Sequence, residues 1–438
     1  MKPTSLIGHV IELLQLIEES QEPADRTSST FLRARKYIGA SDRRFITGAA
    51  FGIIRHRRYI EVLLEQYLAE HPMDGALDDR ANRFLALYTL YVAALGCREN
   101  GAHPSEAYWN TCFPKIRMES FLEWVSAKKG LDFLREDELV RLGVKYSFQD
   151  WMVQDWHAQL GTGIESLLHA LNAPSRITLR VNLLKCDRAG CRDRLKGEGI
   201  DSTPTSISPA GLVAGKRFNI HSSPAFRDGW FELQDEGSQI VSLAISPRPG
   251  NMVIDACAGA GGKALHLAEL MRNKGEIVAI DVDSERLAEL QRRADRAGVN
   301  CIRTEPRANL EPEPLLGKAD IVLVDAPCSG VGTIRRNPRM KWSVTESMVD
   351  HFSEKQLSLL GFNSRFVKPG GRLVYSTCSL LLNENENVLH AFLNSHPEFT
   401  SDVGNLTGLK IDQGAIKLFP HLNETDGFFI APMKRRKD

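Results

Sequence analysis

The sequence has no C-x-x-C pair, no apolar run long enough to cross a bilayer, no net charge, no internal repeat and no low-complexity tract. Each absence removes a class of protein. Eight cysteines (Cys97, Cys112, Cys186, Cys191, Cys257, Cys301, Cys328 and Cys378) stand singly. Neither a zinc knuckle nor a disulfide scaffold is indicated, and a reducing cytoplasm with thiols free for chemistry is expected. The longest apolar stretch, Phe84 to Cys97, falls short of the roughly 20 residues of a membrane helix and suits a buried one. His9 and Glu12 interrupt the N-terminal apolar run that a signal peptide requires. With 55 basic residues against 55 acidic ones there is no global field, so a nucleic acid must be held by local clusters.

What is present is a globular composition, 42% hydrophobic and 25% charged, in 438 residues. At about 150 residues per domain this allows roughly three domains. Residues 1–145 read as helical, because Val10, Leu13, Leu14 and Ile17, and again Ile60, Leu63, Leu64 and Tyr67, fall at helix spacing. In that region Arg33, Arg35, Lys36, Arg43, Arg44, Arg55, Arg57 and Arg58 crowd one segment, either as a solvated helix face or as a phosphate-contacting patch. Residues 146–233 carry short apolar runs such as Ile177 to Leu184, the pattern of a small mixed α/β module. From residue 234 to 438 a βαβ rhythm sets in, with buried strands expected at Met252 to Ala256, Ile277 to Asp281, Ile321 to Asp325 and Arg372 to Ser376. Leu287, Leu290, Ala294 and Ala297 share one helical face between them. Leu357, Leu360 and Val367 share another, which Pro369-Gly370-Gly371 is expected to stop. The fold class is α/β, a doubly wound sheet whose ligands belong at the carboxyl ends of its strands.

Chemistry gathers at those ends. Asp255-Ala-Cys257-Ala258-Gly259-Ala260-Gly261-Gly262-Lys263 stands where the first strand should turn into a helix, and its glycines let a ligand approach the backbone. A P-loop fails, since Cys257 and Ala264 occupy the places of its first glycine and its hydroxyl. A dinucleotide fingerprint lacks its third glycine at Ala264. Asp281, at the end of the next strand, is placed to accept ribose hydroxyls of an adenosyl ligand, while Asp283 reads as a helix cap. Asp325 and Cys328 follow a third strand and Cys378 a fourth. Isolated cysteines usually serve as small buried hydrophobes, but two of them at strand ends beside a nucleotide-type loop point to catalysis. Residues alone do not tell the two thiols apart.

The ordered set DACAGAGGK, AIDVDSERL, DAPCSGVGTIRRNPRMKW, YSTCSLLLNENENVL and TDGFFIA resembles the Sun-type family of RNA 5-methylcytosine methyltransferases. Leu179-Arg-Val-Asn182 and Gln234-Asp-Glu-Gly-Ser-Gln239 resemble further family segments. SDRRFITGAAFGIIRHRRYIEVLL is similar to the NusB-like domain preceding the catalytic region in bacterial members that act on small-subunit ribosomal RNA. The resemblance implies a Rossmann-like S-adenosylmethionine-dependent methyltransferase domain, preceded by a small α/β module and an all-α NusB-like domain. It implies S-adenosylmethionine on Cys257 to Lys263, Asp281 and Asp325. Cys378 is then the nucleophile, Cys328 the group that helps release it, and Asp325 the hydrogen-bonding partner of the base near N3. A monomer acting on RNA without a metal is expected, with transfer RNA as the alternative to ribosomal RNA.

The chain departs from the family's D-x-C-A-A-P-G-G-K-T at Gly259, Ala260 and Ala264, which predicts a looser loop without proline's constraint. The acid that commonly meets adenine has no clean match, Glu305 being displaced, and Gln149 stands where proline is more usual. Arg335, Arg336, Arg339 and Lys341 lie in a stretch without acidic residues and are expected to clamp RNA phosphates. In Asp426-Gly-Phe-Phe429 a core strand and turn is expected. Two other classes remain to be weighed. A non-catalytic RNA-binding assembly factor would be expected to have lost Asp325, Cys328 or Cys378, and an NAD-dependent oxidoreductase would be expected to carry the full glycine fingerprint.

Overall fold

A computed structural model of the protein describes all residues except 21, 72–74, 76, 97–102, 133, 135–136, 403–408, 410 and 438, so Cys97 lies outside the described residues. The chain divides into two compact units, Met1–Asn172 with Arg336–Ser343, and Ala173–Arg335 with Val344–Asp438.

The first unit is helical, without a strand among the described residues. The faces expected on Pro3–Glu19 and Arg57–Glu70 are buried in one core, Val10, Leu13, Leu14 and Ile17 beside Ile60, Leu63, Leu64 and Tyr67. Helix Arg80–Leu95 starts on Asp79, whose carboxylate accepts the amides of Ala81 and Asn82, and buries every residue from 84 to 90. Helices Asp150–Leu160 and Ile164–Asn172 belong to this unit. Phe148 packs edge-to-face on Trp156, and Arg58 donates to both the Phe148 carbonyl and the Asp150 carboxylate at 2.6 Å. The cation-rich segment is largely used up within the unit. Arg35 pairs with Glu12, Arg57 with Glu18 and Glu61, and Arg58 with Asp150, while Arg43 donates to the Ile38 carbonyl. Arg33, Lys36 and Arg44 stay exposed.

The second unit holds two sheets. In the smaller, β1 (Ile177–Val181), β2 (Ser202–Pro204), β3 (Gly211–Ala214) and β4 (Phe231–Leu233) pair antiparallel in the order β2-β3-β1-β4. Cys191 and Leu195 of helix Arg188–Gly197 share a core with Leu179, Val181, Leu212 and Phe231 of this sheet. The larger sheet contains β5 (Met252–Asp255), β6 (Glu276–Asp281), β7 (Ile302–Pro306), β8 (Ala319–Asp325) and β9 (Val367–Thr377), and then β10 (Phe399–Ser401), β11 (Ile411–Asp412), β12 (Ala415–Leu418) and β13 (Phe428–Arg435). Strands β7-β6-β5-β8-β9 are parallel in that order, and β13 adds antiparallel to β9. Neighbouring residues such as Val253 and Ile254, or Leu323 and Val324, enter opposite cores. One core lies against helices Glu236–Ile245, Gly262–Leu270 and Ser284–Ala297, the other against Glu346–Ser364 and Glu386–Ser395. Burial on both faces is why these strands read as unbroken apolar runs.

All four expected strands are present. Val367 and Pro369-Gly370-Gly371 correct the sequence reading, because the helix ends at Ser364 and these residues lie inside β9. Ala319 pairs with Val367 and Ile321 with Arg372, so the intervening residues form a bulge, with Gly370 at φ +76°. From β5 the chain builds outward to β6 and β7, then crosses back to place β8 on the other side. The carboxyl ends of β5 and β8 therefore flank the switch point where open α/β sheets bind ligands.

Candidate active site

Beyond β5 the chain makes a tight loop from Ala256 to Gly261 and enters helix Gly262–Leu270. The Ala258 amide donates to the Ile280 carbonyl at 2.9 Å and the Gly259 amide to Asp281 Oδ2 at 2.8 Å. Gly261 sits at φ +82°, and a Cβ there would lie 2.4 Å from Leu290 Cγ, so both conformation and space demand glycine. Gly259 needs glycine for its φ of +53° alone. In the loop that lacks the family's proline, Arg293 donates to the Ala260 carbonyl at 2.5 Å and Asp281 accepts the Gly259 amide.

Asp281 Oδ1 also accepts the Asp283 amide at 2.9 Å. An ionised carboxylate offers about four acceptor positions, so two remain for a ligand. Asp283 caps helix Ser284–Ala297 by accepting from Glu285 and Arg286. Val282 between them is 85% exposed, an apolar side chain at the strand end that sequence reading passed over. Glu305 faces Ile280 across the β6–β7 pairing and is taken by Arg303 at 2.7 Å. Asp255 is buried with neither carboxylate oxygen hydrogen-bonded, and burial, then the nearby Asp325 charge, push its pKa up to about 7.

Two upstream motifs support this loop. Arg180, wholly buried on β1, donates to Gln234, to the Gly262 carbonyl at 2.7 Å and to Glu269 at 2.8 Å. Asp235 caps Glu236–Ile245, Glu236 accepts the Ile207 and Ser208 amides, and Gln239 donates to the carbonyls of Leu179 and Gln234.

At the end of β8, Asp325 Oδ2 meets Lys263 Nζ at 2.6 Å. Burial alone would lower the Lys263 ammonium, but the Asp325 carboxylate more than offsets it and holds the group above its ordinary value. Cys328 follows β8 and Cys378 follows β9, and their Sγ atoms are 3.4 Å apart. The hydrogen bond with Cys378, then burial, push the Cys328 thiol well above its usual range. The backbone keeps the two loops together, since the Gly332 amide donates to the Cys378 carbonyl and the Gly427 amide to the Gly332 carbonyl, both at 2.9 Å. A Cβ on Gly332 would fall 2.3 Å from the Gly427 oxygen. Asp426 is buried and its amide donates to Asp235, so this turn, with Phe428 and Phe429 opening β13, is the core element expected.

The expected phosphate clamp is not one patch. Arg335 is buried and donates to the Thr425 carbonyl at 3.0 Å. Residues 336–343 belong to the helical unit, where Arg339 donates to the carbonyls of Ser20 and Glu22. Lys341 is fully buried, its ammonium on the carbonyls of Arg55 and Tyr146, on Asn172 Oδ1 and over the Phe148 ring at 3.7 Å. Its donors are consumed inside the protein, which removes it from any phosphate. Only Arg336 of the four is exposed. A run of cations without acids signals charge seeking partners, and here backbone carbonyls supply them.

Residues 242–434 match the family model described as 16S rRNA methyltransferase RsmB/F, and residues 148–221 match the ferredoxin-like domain of RsmF/B-like methyltransferases. The probable ribosomal RNA small subunit methyltransferase B of Bacillus subtilis is 36% identical over 316 residues, 69% of each chain. Its counterpart in Synechocystis is 32% identical over 412 residues, 91% of this chain and 92% of that one. The crystal structure of PH0851 superposes with a TM-score of 0.78 at 28% identity, covering 99% of both chains. Sheet order, glycine loop and strand-end acid together define a Rossmann-like methyltransferase that uses S-adenosylmethionine. The chain belongs to the RsmB/F family of 16S rRNA methyltransferases, and is an RNA methyltransferase. Its residues fit the cofactor: a side-chain-free cradle at Gly259 and Gly261, a helix N-terminus behind it, and spare acceptor capacity on Asp281.

Proposed function

We propose that the protein methylates C5 of a cytidine in RNA, with small-subunit ribosomal RNA as substrate, through a covalent bond between Cys378 and C6 of the base. The observation that carries this reading is the contact of two thiols from adjacent strand ends, 3.4 Å apart, in a site whose Asp325 is paired with Lys263. C5 of cytosine is a poor nucleophile, and a thiolate added at C6 makes it enamine-like. Cys378 is assigned the attack and Cys328 the release by the resemblance of Tyr375-Ser-Thr-Cys378 and Asp325-Ala-Pro-Cys328 to the family's segments. Asp325 hydrogen-bonds the base near N3 and hands it the proton that balances the added electron pair, with Lys263 on its Oδ2 as the proton reserve.

When bound on Gly259 to Lys263 and Asp281, S-adenosylmethionine supplies the methyl group. Val282 would offer the adenine an apolar flank, and the two acceptor positions left on Asp281 would take the ribose hydroxyls. Release is a β-elimination: the C5 proton passes to the Cys328 sulfur as that thiol's own proton passes to the departing Cys378 sulfur 3.4 Å away, the C5–H electrons form the C5–C6 double bond as the C6–S bond breaks, and the proton near N3 returns to Asp325. The base must be flipped out or single-stranded to be reached. Arg33, Lys36 and Arg44 serve as phosphate contacts on the helical unit.

Incubation of the protein with small-subunit RNA and methyl-labelled cofactor, followed by mapping of 5-methylcytosine, tests the reading. Label at cytosine C5 that depends on Cys378 is expected. Label on another base or another atom overturns it.

A further inference from the structure

Each of the two cysteines is followed by a serine, and one buried carboxylate holds both serines. Glu384 Oε2 accepts from the Ser329 and Ser379 hydroxyls. Its Oε1 accepts the Ser329 amide at 2.7 Å and Gln356 Nε2 at 3.3 Å. The serine oxygens are 3.4 Å apart, the same separation as the two sulfurs beside them. Glu384 has no exposed surface, and among the described residues no lysine or arginine pairs with it. A carboxylate buried without a cation is costly unless donors replace its lost hydration, and here four do. Tyr375 and Gln356 brace the same lattice. The Tyr375 hydroxyl donates to Gln356 Oε1 at 3.0 Å and to the Glu384 carbonyl, and Gln356 also donates to the Pro327 carbonyl at 3.0 Å.

None of the chemistry proposed above uses Glu384. A carboxylate accepts on both oxygens, whereas an amide accepts on one, so a glutamine at 384 cannot reproduce all four bonds. We infer that Glu384 is a positioning residue: through Ser329 and Ser379 it sets the separation of Cys328 and Cys378, and so the hand-over from attack by one thiol to release assisted by the other. The hand-over rests on the two-thiol reading, whereas the spacing does not.

Two variants of the full chain separate these claims, Glu384→Gln and the double variant Ser329→Ala with Ser379→Ala, which keeps the carboxylate and removes its two hydroxyl arms together with the acceptor of the Leu381 amide. Thiol spacing is read by diamide, which takes one proton and one electron from each thiol, is reduced to its hydrazine and leaves a disulfide. Intact mass and peptide mapping follow the Cys328–Cys378 bond. The wild type should close it, and both variants should close it about tenfold more slowly, the loss expected for one hydrogen bond to a charged group. On denaturing gels with substrate RNA and labelled cofactor, both variants should accumulate a methylated protein–RNA adduct, a trapped species that an unfolded fraction, which only lowers kcat at unchanged KM, does not produce. Closure at the wild-type rate in both variants overturns the inference whatever their activity. Slowed closure without an adduct in any variant, Cys328→Ala included, supports the spacing role and overturns the two-thiol chemistry.

Discussion

The two sides of the switch point are built by different means. On the β5–β6 side the site is made of backbone: a loop with two glycines at positive φ, pinned by Asp281 and Arg293, with Val282 exposed beside it. On the β8–β9 side it is made of side chains, a buried lattice of Ser329, Gln356, Tyr375, Ser379 and Glu384 around two thiols. A backbone cradle suits a ligand that must enter and leave each cycle, since it is formed before the ligand arrives. A side-chain lattice suits groups that must meet a base at fixed positions, where a shift of about an ångström is costly in rate.

Breaking the β8–β9 side should have the largest effect. Cys378→Ala should reduce methylation to background and give no covalent RNA adduct. Cys328→Ala should still attack and methylate, then stall as a denaturation-resistant complex that carries the label. Denaturing gels of both variants decide the roles, and an adduct from Cys378→Ala but none from Cys328→Ala exchanges them. The β5–β6 side should respond more mildly and in affinity. Asp281→Ala should weaken cofactor binding by about 10- to 100-fold by calorimetry, the worth of hydrogen bonds to a charged group, with the thiols still able to attack RNA. Gly261→Ala combines a strained φ with the contact on Leu290 and should cost about 1–3 kcal/mol of stability. A wild-type melting curve for that variant would show that the loop relaxes.

Between the two sides lies Asp255. Its pKa, raised in the folded state to about 7 from 3.8, means that between those values the folded protein holds a proton the unfolded chain has released. Its contribution to stability is therefore lost as pH rises from about 4 to about 7, and constant above. Asp255→Asn should flatten that part of the melting-temperature profile. An unchanged slope would show that Asp255 is ionised in the fold, its charge satisfied by the cofactor side.

How much of this was legible in the sequence follows the same division. The four parallel strands and the glycine loop were readable because burial on both faces and a need for positive φ leave direct marks in residue type. β7 was not, since Ile-Arg-Thr-Glu-Pro is a half-exposed edge without an apolar run. The bulge in β9 was read as a helix stop because proline and glycine punctuate both. Glu384 lies in a segment that carries the family resemblance, but its residue type gives no sign of burial: in Asn-Glu-Asn-Glu-Asn it looks like solvated surface, and only the tertiary fold turns it inward. Residues 146–172 read in sequence with the mixed module that follows them, and Arg58 on Asp150 and Phe148 on Trp156 show the contacts they make within the helical unit.

Cations give the same lesson at the smallest scale, because Lys341 and Arg44 look alike in sequence and differ wholly in surroundings. Lys341 is fully buried with three oxygen partners, and Arg44 is exposed. RNA affinity that depends on phosphate contacts falls with salt by a slope of about 0.7 to 0.9 per contact. Arg44→Glu together with Lys36→Glu should lower that slope by about 1 to 2 with the melting temperature unchanged. Lys341→Met should do the reverse. It keeps the slope and shifts the melting temperature, since it takes a donor from the carbonyls of Arg55 and Tyr146 and from Asn172 Oδ1, all inside the fold. Filter binding across a salt series, beside melting curves, reads both effects. A lowered slope in Lys341→Met would restore that residue to the phosphate clamp, and an unchanged slope in the Arg44 and Lys36 variant would make the exposed cations a solvated helix face.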